Sequence, residues 1–131
     1  MLSRFNEFMH DLHISLVTYN SSGDLRACLD SLFLDLATSP INAVMTVVDN
    51  ASTDGSLQII KEKFPKIKFF ELPKNSGFGK AHNVALAQTD AKYHFVLNPD
   101  TVFPKGLGII RRLYDFMEAH PQVAMVGPKL I

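Results

Sequence analysis

Five short apolar runs, separated by four single amphipathic stretches, constrain this chain more than any other feature. His13 to Tyr19 (H-I-S-L-V-T-Y), Ala43 to Val48 (A-V-M-T-V-V), Ile67 to Leu72 (I-K-F-F-E-L), Tyr93 to Leu97 (Y-H-F-V-L) and Val123 to Val126 have the length and composition of buried strands. Between them, Leu25, Cys28, Leu29, Leu32, Phe33 and Leu36 recur at three- and four-residue spacings. Leu57, Ile60 and Phe64 do the same, as do Ala81, Val84 and Ala85, and then Leu107, Ile110, Tyr114 and Met117. Ser39-Pro40 and Pro65 close the first two helices, and Ser52, Thr53 and Asp54 are natural caps for the second. Apolar strands joined by single helices predict an α/β fold, a Rossmann-like, mostly parallel sheet flanked by helices on both faces with right-handed crossovers. No repeat, linker or low-complexity segment interrupts the pattern, so residues 1–131 form a single domain.

The bulk composition narrows the function classes. Hydrophobic residues make up 47% of the chain and charged residues 20%, which suits a compact soluble domain and excludes disorder. Thirteen basic residues balance thirteen acidic ones, so no overall field draws in nucleic acid. Lys61, Lys63, Lys66 and Lys68 cluster, but Glu62 and Glu71 beside them mark a solvated face. The single cysteine, Cys28, reads as a small core residue; a lone thiol forms no intrachain disulfide and fits a cytosolic compartment. No apolar run reaches the ~18 residues of a membrane span, and the first ten residues do not read as a signal peptide. Leu2, Phe5, Phe8, Met9 and Leu12 fall near one helical face, which predicts a short packing helix at the start; the alternative, a membrane-surface contact, is disfavoured because Glu7 and Asp11 would be repelled by anionic lipid. His10, His13, His82, His94 and His120 lack metal-ligand spacing and read as surface or rim residues, with His82 closest to the site described next.

In an open parallel sheet, ligands bind at the carboxyl ends of the strands. Polar residues gather at those ends: Thr18-Tyr19-Asn20, Asp49-Asn50, Asn75 to Gly79, and Asn98 with Asp100. Each cluster alone could be a turn or a helix cap, but four on one rim predict a binding site. Asp49 can accept a hydrogen bond from a ring N–H such as a pyrimidine imide, or cap its own turn through an Asx contact. Tyr19 can pack on a base or on the rim. Gly77 and Gly79 let the backbone approach a ligand, and the helix behind them favours an anion. The Gly-x-Gly-x-x-Gly spacing of a dinucleotide site is absent. Asn98-Pro99-Asp100 is either a turn or a hard-oxygen site for Mg²⁺ or Mn²⁺ bridged to a diphosphate. A single carboxylate there implies weak metal binding without the nucleotide.

The order I-S-L-V-T-Y-N, V-V-D-N-A-S-T-D-G-S, N-S-G-F-G-K-A-H-N and L-N-P-D, spread over residues 13 to 131, resembles the amino-terminal half of family 2 inverting glycosyltransferases. The N-P-D form resembles the rhamnosyltransferase-like branch of bacterial polysaccharide assembly. The resemblance implies a glycosyltransferase-A type fold with strand order beginning 3-2-1-4, a nucleoside diphosphate sugar (UDP- or dTDP-linked) as donor, and a divalent cation, Mg²⁺ or Mn²⁺. By motif position, Thr18, Tyr19 and Asn20 would line the base and ribose pocket and Asp49 would hold the base edge. Asn75, Gly77 and Asn83 would run beneath the nucleotide. Asn98 and Asp100 would meet the diphosphate and the metal, with Asp100 as the metal ligand. Many relatives carry aspartate where this chain has Asn98, so one charge is removed.

Family members continue further, and their second half supplies the acceptor site and the catalytic base. No residue of this chain matches that motif, so no catalytic residue is assigned in it and the acceptor-binding half is expected outside it. A glycan or lipid-linked acceptor is then the partner of the full-length protein. The expected location is cytoplasmic, with the inner face of the membrane as the alternative. A strand absent here is expected to pair beside the fourth, which predicts an open edge; either a second copy covers it or the Val123–Ile131 segment is displaced to do so. The rival to an enzyme is a non-catalytic nucleotide-sugar-binding module.

Overall fold

A computed structural model describes residues 8–38 and 40–129 of the chain. Eight elements alternate: β1 (His10–Thr18), α1 (Ser22–Thr38), β2 (Ala43–Asp49), α2 (Ser56–Lys63), β3 (Lys68–Glu71), α3 (Phe78–Leu86), β4 (Ala91–Leu97) and α4 (Ile109–Ala119). The four strands form one sheet in the order β3-β2-β1-β4, and every pairing is parallel. β1 is therefore central, which explains why its residues from Leu12 to Thr18 are all buried.

Strand periodicity sends alternate residues of β1 to opposite faces. Leu12, Ile14 and Leu16 join Met45 and Val47 of β2 in the main core, with Leu25, Cys28, Leu29 and Leu32 of α1, Ile60 of α2 and Ile110 of α4. Each fully enclosed leucine on α1 contributes roughly 1.5–3 kcal/mol by leaving water; truncating Leu29 to alanine would cost about 2–5 kcal/mol. The opposite face is smaller. Val17 and Val48 meet Ala81 and Ala85 of α3 there, and the same face carries buried His13, Ser15 and Thr46. Small alanines let the nine-residue α3 lie close to the strands.

Several sequence expectations need correction. β1 begins at His10, so Leu12 is a strand residue and cannot belong to an initial packing helix; residues 1–7, where Leu2 and Phe5 lie, are outside the described residues. Ser39, expected to help close α1, is also outside them. α2 starts behind Gly55, which carries a left-handed φ of 89°, so Ser52 and Thr53 precede the helix and serve the loop, while Asp54 Oδ1 accepts the N–H of Ser56, the first helical residue, at 3.0 Å. Leu107 lies before α4.

Val123–Val126 does not add a fifth strand. Ala124, Met125 and Val126 instead border an apolar groove of 330 Å³ with Tyr93 and Phe95 of β4 and Met117 of α4. The segment thus lies beside the open β4 edge without pairing to it, and Met125 stays 87% exposed. At its start the Val123 N–H turns back onto the His120 carbonyl at 2.9 Å.

Two histidines are also corrected. His13 is fully enclosed and His82 is 4% exposed, so neither is a surface or rim residue. His13 Nε2 is 3.0 Å from Thr46 Oγ1 and its Nδ1 is 3.2 Å from His94 Nδ1. The His82 Nδ1 is hydrogen-bonded to Ser15 Oγ. On a sheet face with few apolar residues, these pairs satisfy the polar groups that the strands bury.

Candidate functional site

The carboxyl ends of β1, β2 and β4, with the loop after β3, form one rim. Thr18 and Asp49 end their strands as register partners in the parallel β1–β2 pair. Both are buried, at 0% and 2% exposure. Asp49 Oδ2 accepts the Ser52 N–H at 3.0 Å. Asp49 Oδ1 and Thr18 Oγ1 are buried with no hydrogen-bond partner among the described residues. The Asx-type contact therefore uses one carboxylate oxygen and leaves the other for a donor. A buried carboxylate oxygen without a donor costs free energy, so these two atoms, on register-partner residues, mark where a ligand would repay most.

Polar side chains lace the β1–α1 loop to the β2–α2 loop. The Asn20 N–H donates to Ser52 Oγ at 2.9 Å, and Asn20 Oδ1 accepts the Thr53 N–H at 2.8 Å. The Ser21 N–H donates to Ser56 Oγ at 3.0 Å and the Ser22 N–H to Asp54 Oδ2 at 2.9 Å. Ser56 Oγ in turn donates to Asp54 Oδ1 at 2.6 Å. These bonds hold the Asp54 carboxyl well below the usual carboxylate range, the Ser56 hydroxyl first among them. Both loops also contain a non-glycine residue with positive φ, Asn20 at 48° and Ala51 at 67°. Asparagine tolerates that region; alanine has no side-chain compensation there, so the loop holds Ala51 under local strain.

A second link joins β2 to the loop before α3. Asn50 is 3% exposed, and its Oδ1 accepts the Ser76 N–H at 2.9 Å. Asn75 Oδ1 accepts the Gly77 N–H at 2.9 Å in a tight turn. Gly77 sits at φ 85° and ψ 162°, a conformation essentially restricted to glycine, and begins α3. Asn83 is exposed on α3, Tyr19 is half-exposed, and Phe78 is exposed with its ring edge-on to His82 at 4.3 Å.

The loop after β4 is held from below by α1. Cys28 is fully enclosed, and its Sγ lies 3.6 Å from the Asn98 carbonyl oxygen as a donor. Burial pushes that thiol up to about 11, consistent with a core residue and not a nucleophile. Ser31 Oγ accepts the Phe103 N–H at 3.0 Å. Asp35, 4% exposed, accepts the Ile109 and Ile110 N–H groups at 2.8 and 2.9 Å. It thereby caps α4 from another element, since Gly108 before the helix has no side chain to do so.

Asn98 and Asp100 are exposed at the end of β4, where the Thr101 N–H closes a turn onto the Asn98 carbonyl at 3.2 Å. The turn reading of Asn-Pro-Asp is thus realised, and it leaves the Asp100 carboxylate facing solvent. No group of three or more His, Cys, Asp or Glu able to hold a metal exists among the described residues. One carboxylate beside one amide fits a hard cation only if phosphate oxygens and water complete its shell. The residues present fit that role and no tighter one.

Asn50 and Ser76 fell inside the polar clusters without a role of their own, and Ser52, Asp54 and Ser56 were not singled out as site residues by sequence reasoning. Their pattern of short polar side chains directly behind Asp49 was the available signal. Asp35 gave none, because its partners lie some 74 positions along the chain.

The parallel 3-2-1-4 sheet with its polar rim is that of glycosyltransferase-A type proteins. The chain belongs to glycosyl transferase family 2, whose family model matches residues 14–130. It is 32% identical over 129 residues to the N-acetylglucosaminyl-diphospho-decaprenol L-rhamnosyltransferase of Mycobacterium tuberculosis, across 89% of this chain and 40% of that protein. It is 31% identical over 130 residues to a teichoic acid poly(glycerol phosphate) polymerase of Staphylococcus epidermidis, across 87% of this chain and 18% of that one. The crystal structure of S. aureus TarS 1-349 in complex with UDP-GlcNAc matches with a TM-score of 0.68 at 28% identity, over 85% of this chain and 32% of that chain. The mannosyltransferase PcManGT from Pyrobaculum calidifontis, in complex with GDP-Man and Mn²⁺, shares the fold at the same TM-score of 0.68 and 20% identity. The chain thus spans 40% or less of the length of each of these relatives. No helix among the described residues is long and apolar enough to cross a membrane.

Proposed function

We propose that this chain supplies the donor-binding part of an inverting glycosyltransferase, which moves a sugar from a UDP- or dTDP-linked donor to an acceptor in polysaccharide or glycan assembly. The observation that carries the reading is the pair of buried, unpartnered oxygens, Thr18 Oγ1 and Asp49 Oδ1, on register-partner residues at the rim. A uracil or thymine imide offers one N–H, which matches the one carboxylate oxygen left by the Ser52 contact. Guanine offers an N–H and an amino group together and is best met by both carboxylate oxygens, so a guanosine donor is disfavoured. Tyr19 and Asn20 flank the same pocket, the latter through its amide nitrogen. Asn75, Gly77 and Asn83 run under the nucleotide, and the start of α3 faces its negative charge.

Asn98 and Asp100 would hold Mg²⁺ or Mn²⁺, which when bound neutralises charge on the leaving diphosphate. No catalytic base is assigned among these 131 residues; the base and the glycan or lipid-linked acceptor site belong to sequence beyond them. The proposed setting is cytoplasmic.

Calorimetric titration with UDP, dTDP and GDP, each with Mn²⁺ and with chelator, tests the reading. Saturable binding of UDP or dTDP, weaker GDP binding and loss of the metal-dependent part in Asp100→Ala are expected. Equal affinity for GDP would refute the single-acceptor argument, and no binding of any nucleotide up to millimolar concentration would refute the donor site.

A further inference from the structure

Three residues on one face of α1 reach the same loop. Cys28, Ser31 and Asp35 are spaced three and four apart, which stacks them along the helix. Cys28 meets the carbonyl of Asn98, Ser31 the amide of Phe103, and Asp35 the first two amides of α4. The contacts therefore fall at the start, the middle and the end of the stretch from Asn98 to Ile110. Between them, only the Thr101-to-Asn98 turn bond is made within the loop backbone. Phe103 adds an apolar anchor: it is 6% exposed in the main core, near Phe95 at 6.3 Å. The Ser31 hydroxyl is itself fixed, because it donates to the Cys28 carbonyl at 3.0 Å while accepting from Phe103.

We propose that α1, through Ser31 and Asp35, sets the position of the Asn98–Asp100 turn, so that these two are positioning residues for the cation and diphosphate subsite. This rests on the donor-binding reading above. An exposed carboxylate that must share a cation with a diphosphate gains affinity only when its place is fixed before binding. Asp100 has no contact of its own among the described side chains that would fix it. Its position is inherited from backbone held by Cys28 on one side and by Ser31 on the other. The base-side residues, Thr18 and Asp49, are held separately by strand pairing and by Ser52. Loosening the α1 contacts should therefore weaken the metal-dependent part of binding and spare the base-dependent part.

The test is titration of the chain and its variants with UMP and with UDP, each with Mn²⁺ or with chelator, with melting temperature recorded for each variant. The expected result for Ser31→Ala is a folded chain with UMP affinity within twofold of the parent, and at least a tenfold loss of the gain that Mn²⁺ gives to UDP. Ser31→Thr, which keeps the hydroxyl, should restore that gain. Asp35→Asn, which keeps one accepting oxygen, should lose it in part and provides the reading if Ser31→Ala does not fold. An unchanged Mn²⁺ gain in folded Ser31→Ala and Asp35→Asn overturns the inference while leaving the donor site intact. A parent chain that binds UMP but gains nothing from Mn²⁺ overturns the cation subsite, and this inference with it. A parent chain that binds neither nucleotide overturns the donor-binding reading itself.

Discussion

Acidification should weaken this fold through His13, and the size of the effect follows from where the ring sits. It is fully enclosed on the α3 face of the sheet. Burial is the main cause that lowers its pKa from 6.5 to about 4, with His94, His10 and Lys68 pushing the same way. The folded chain thus keeps His13 neutral where the unfolded chain protonates it. Between pH 6.5 and about 4 the unfolded state binds more protons, so stability falls as pH falls, by up to ~1.4 kcal/mol per pH unit. By pH 4.5 the loss from this one ring amounts to about 2–3 kcal/mol; above pH 7 it vanishes. His82 is shifted in the same direction by its own burial and adds to the effect. The assay is urea unfolding at pH 7.5 and 4.5, for the parent and for His13→Gln, which keeps a polar group near Thr46 but does not titrate in this range. The parent should lose about 2 kcal/mol more than the variant over that interval. Equal losses in the two chains would refute the reasoning, because they would show that His13 binds a proton as readily folded as unfolded.

Other substitutions probe separate parts of the structure. Asp35→Ala removes the acceptor for two amides at the start of α4 and should cost about 3 kcal/mol in urea unfolding, given that hydrogen bonds to a charged group contribute ~1.5–3 kcal/mol each. Ala51→Gly should raise the urea midpoint, since the strain of about 1–2 kcal/mol at φ 67° exceeds the backbone entropy that glycine loses. Asp49→Asn should weaken metal-free UMP binding by roughly 10- to 100-fold, the size of one charge-assisted hydrogen bond, as read by calorimetry.

Much of the fold was legible because apolar periodicity reports burial directly. All four strands of the sheet and all four helices fall where the runs of apolar residues place them. The failures have different causes, and only some of them are distant contacts that outweighed the local pattern. Val123–Val126 has the composition of a strand, but strand pairing requires a partner and usable backbone donors, and composition encodes neither. His10 to Leu12 extends β1 because the amides of Asp11 and Leu12 reach the Asn42 carbonyl at 2.9 and 3.2 Å, an interaction with no local signature. The rim was legible as clusters of polar residues at strand ends. Which polar atoms are already committed was not. Asn20 and Asp49 look alike in sequence, yet one carboxylate oxygen of Asp49 is left over while the Asn20 oxygen is taken by Thr53.

The two faces of the sheet explain where the free polar atoms end up. The α1, α2 and α4 side is filled by aliphatic side chains, so it can carry long-range supports such as the Asp35 cap without exposing backbone. The α3 side buries His13, Ser15, Thr46 and His82 in side-chain pairs and has only a small apolar cluster. A face of that kind gains little from the hydrophobic effect and depends on each polar partner being present. Thr18 and Asp49 stand where the paired strands end and, two residues on from Leu16 and Val47, share the face that α1, α2 and α4 cover. Their leftover acceptors are therefore where the aliphatic side gives way to polar atoms at the rim, separate from the polar pairs on the α3 side, where His82 Nε2 is the unpartnered buried atom among the described residues. A buried acceptor left open at a strand end costs least stability where a ligand can complete it, which favours the rim beside β1 and β2 over the apolar groove along β4 as the place for the proposed nucleotide.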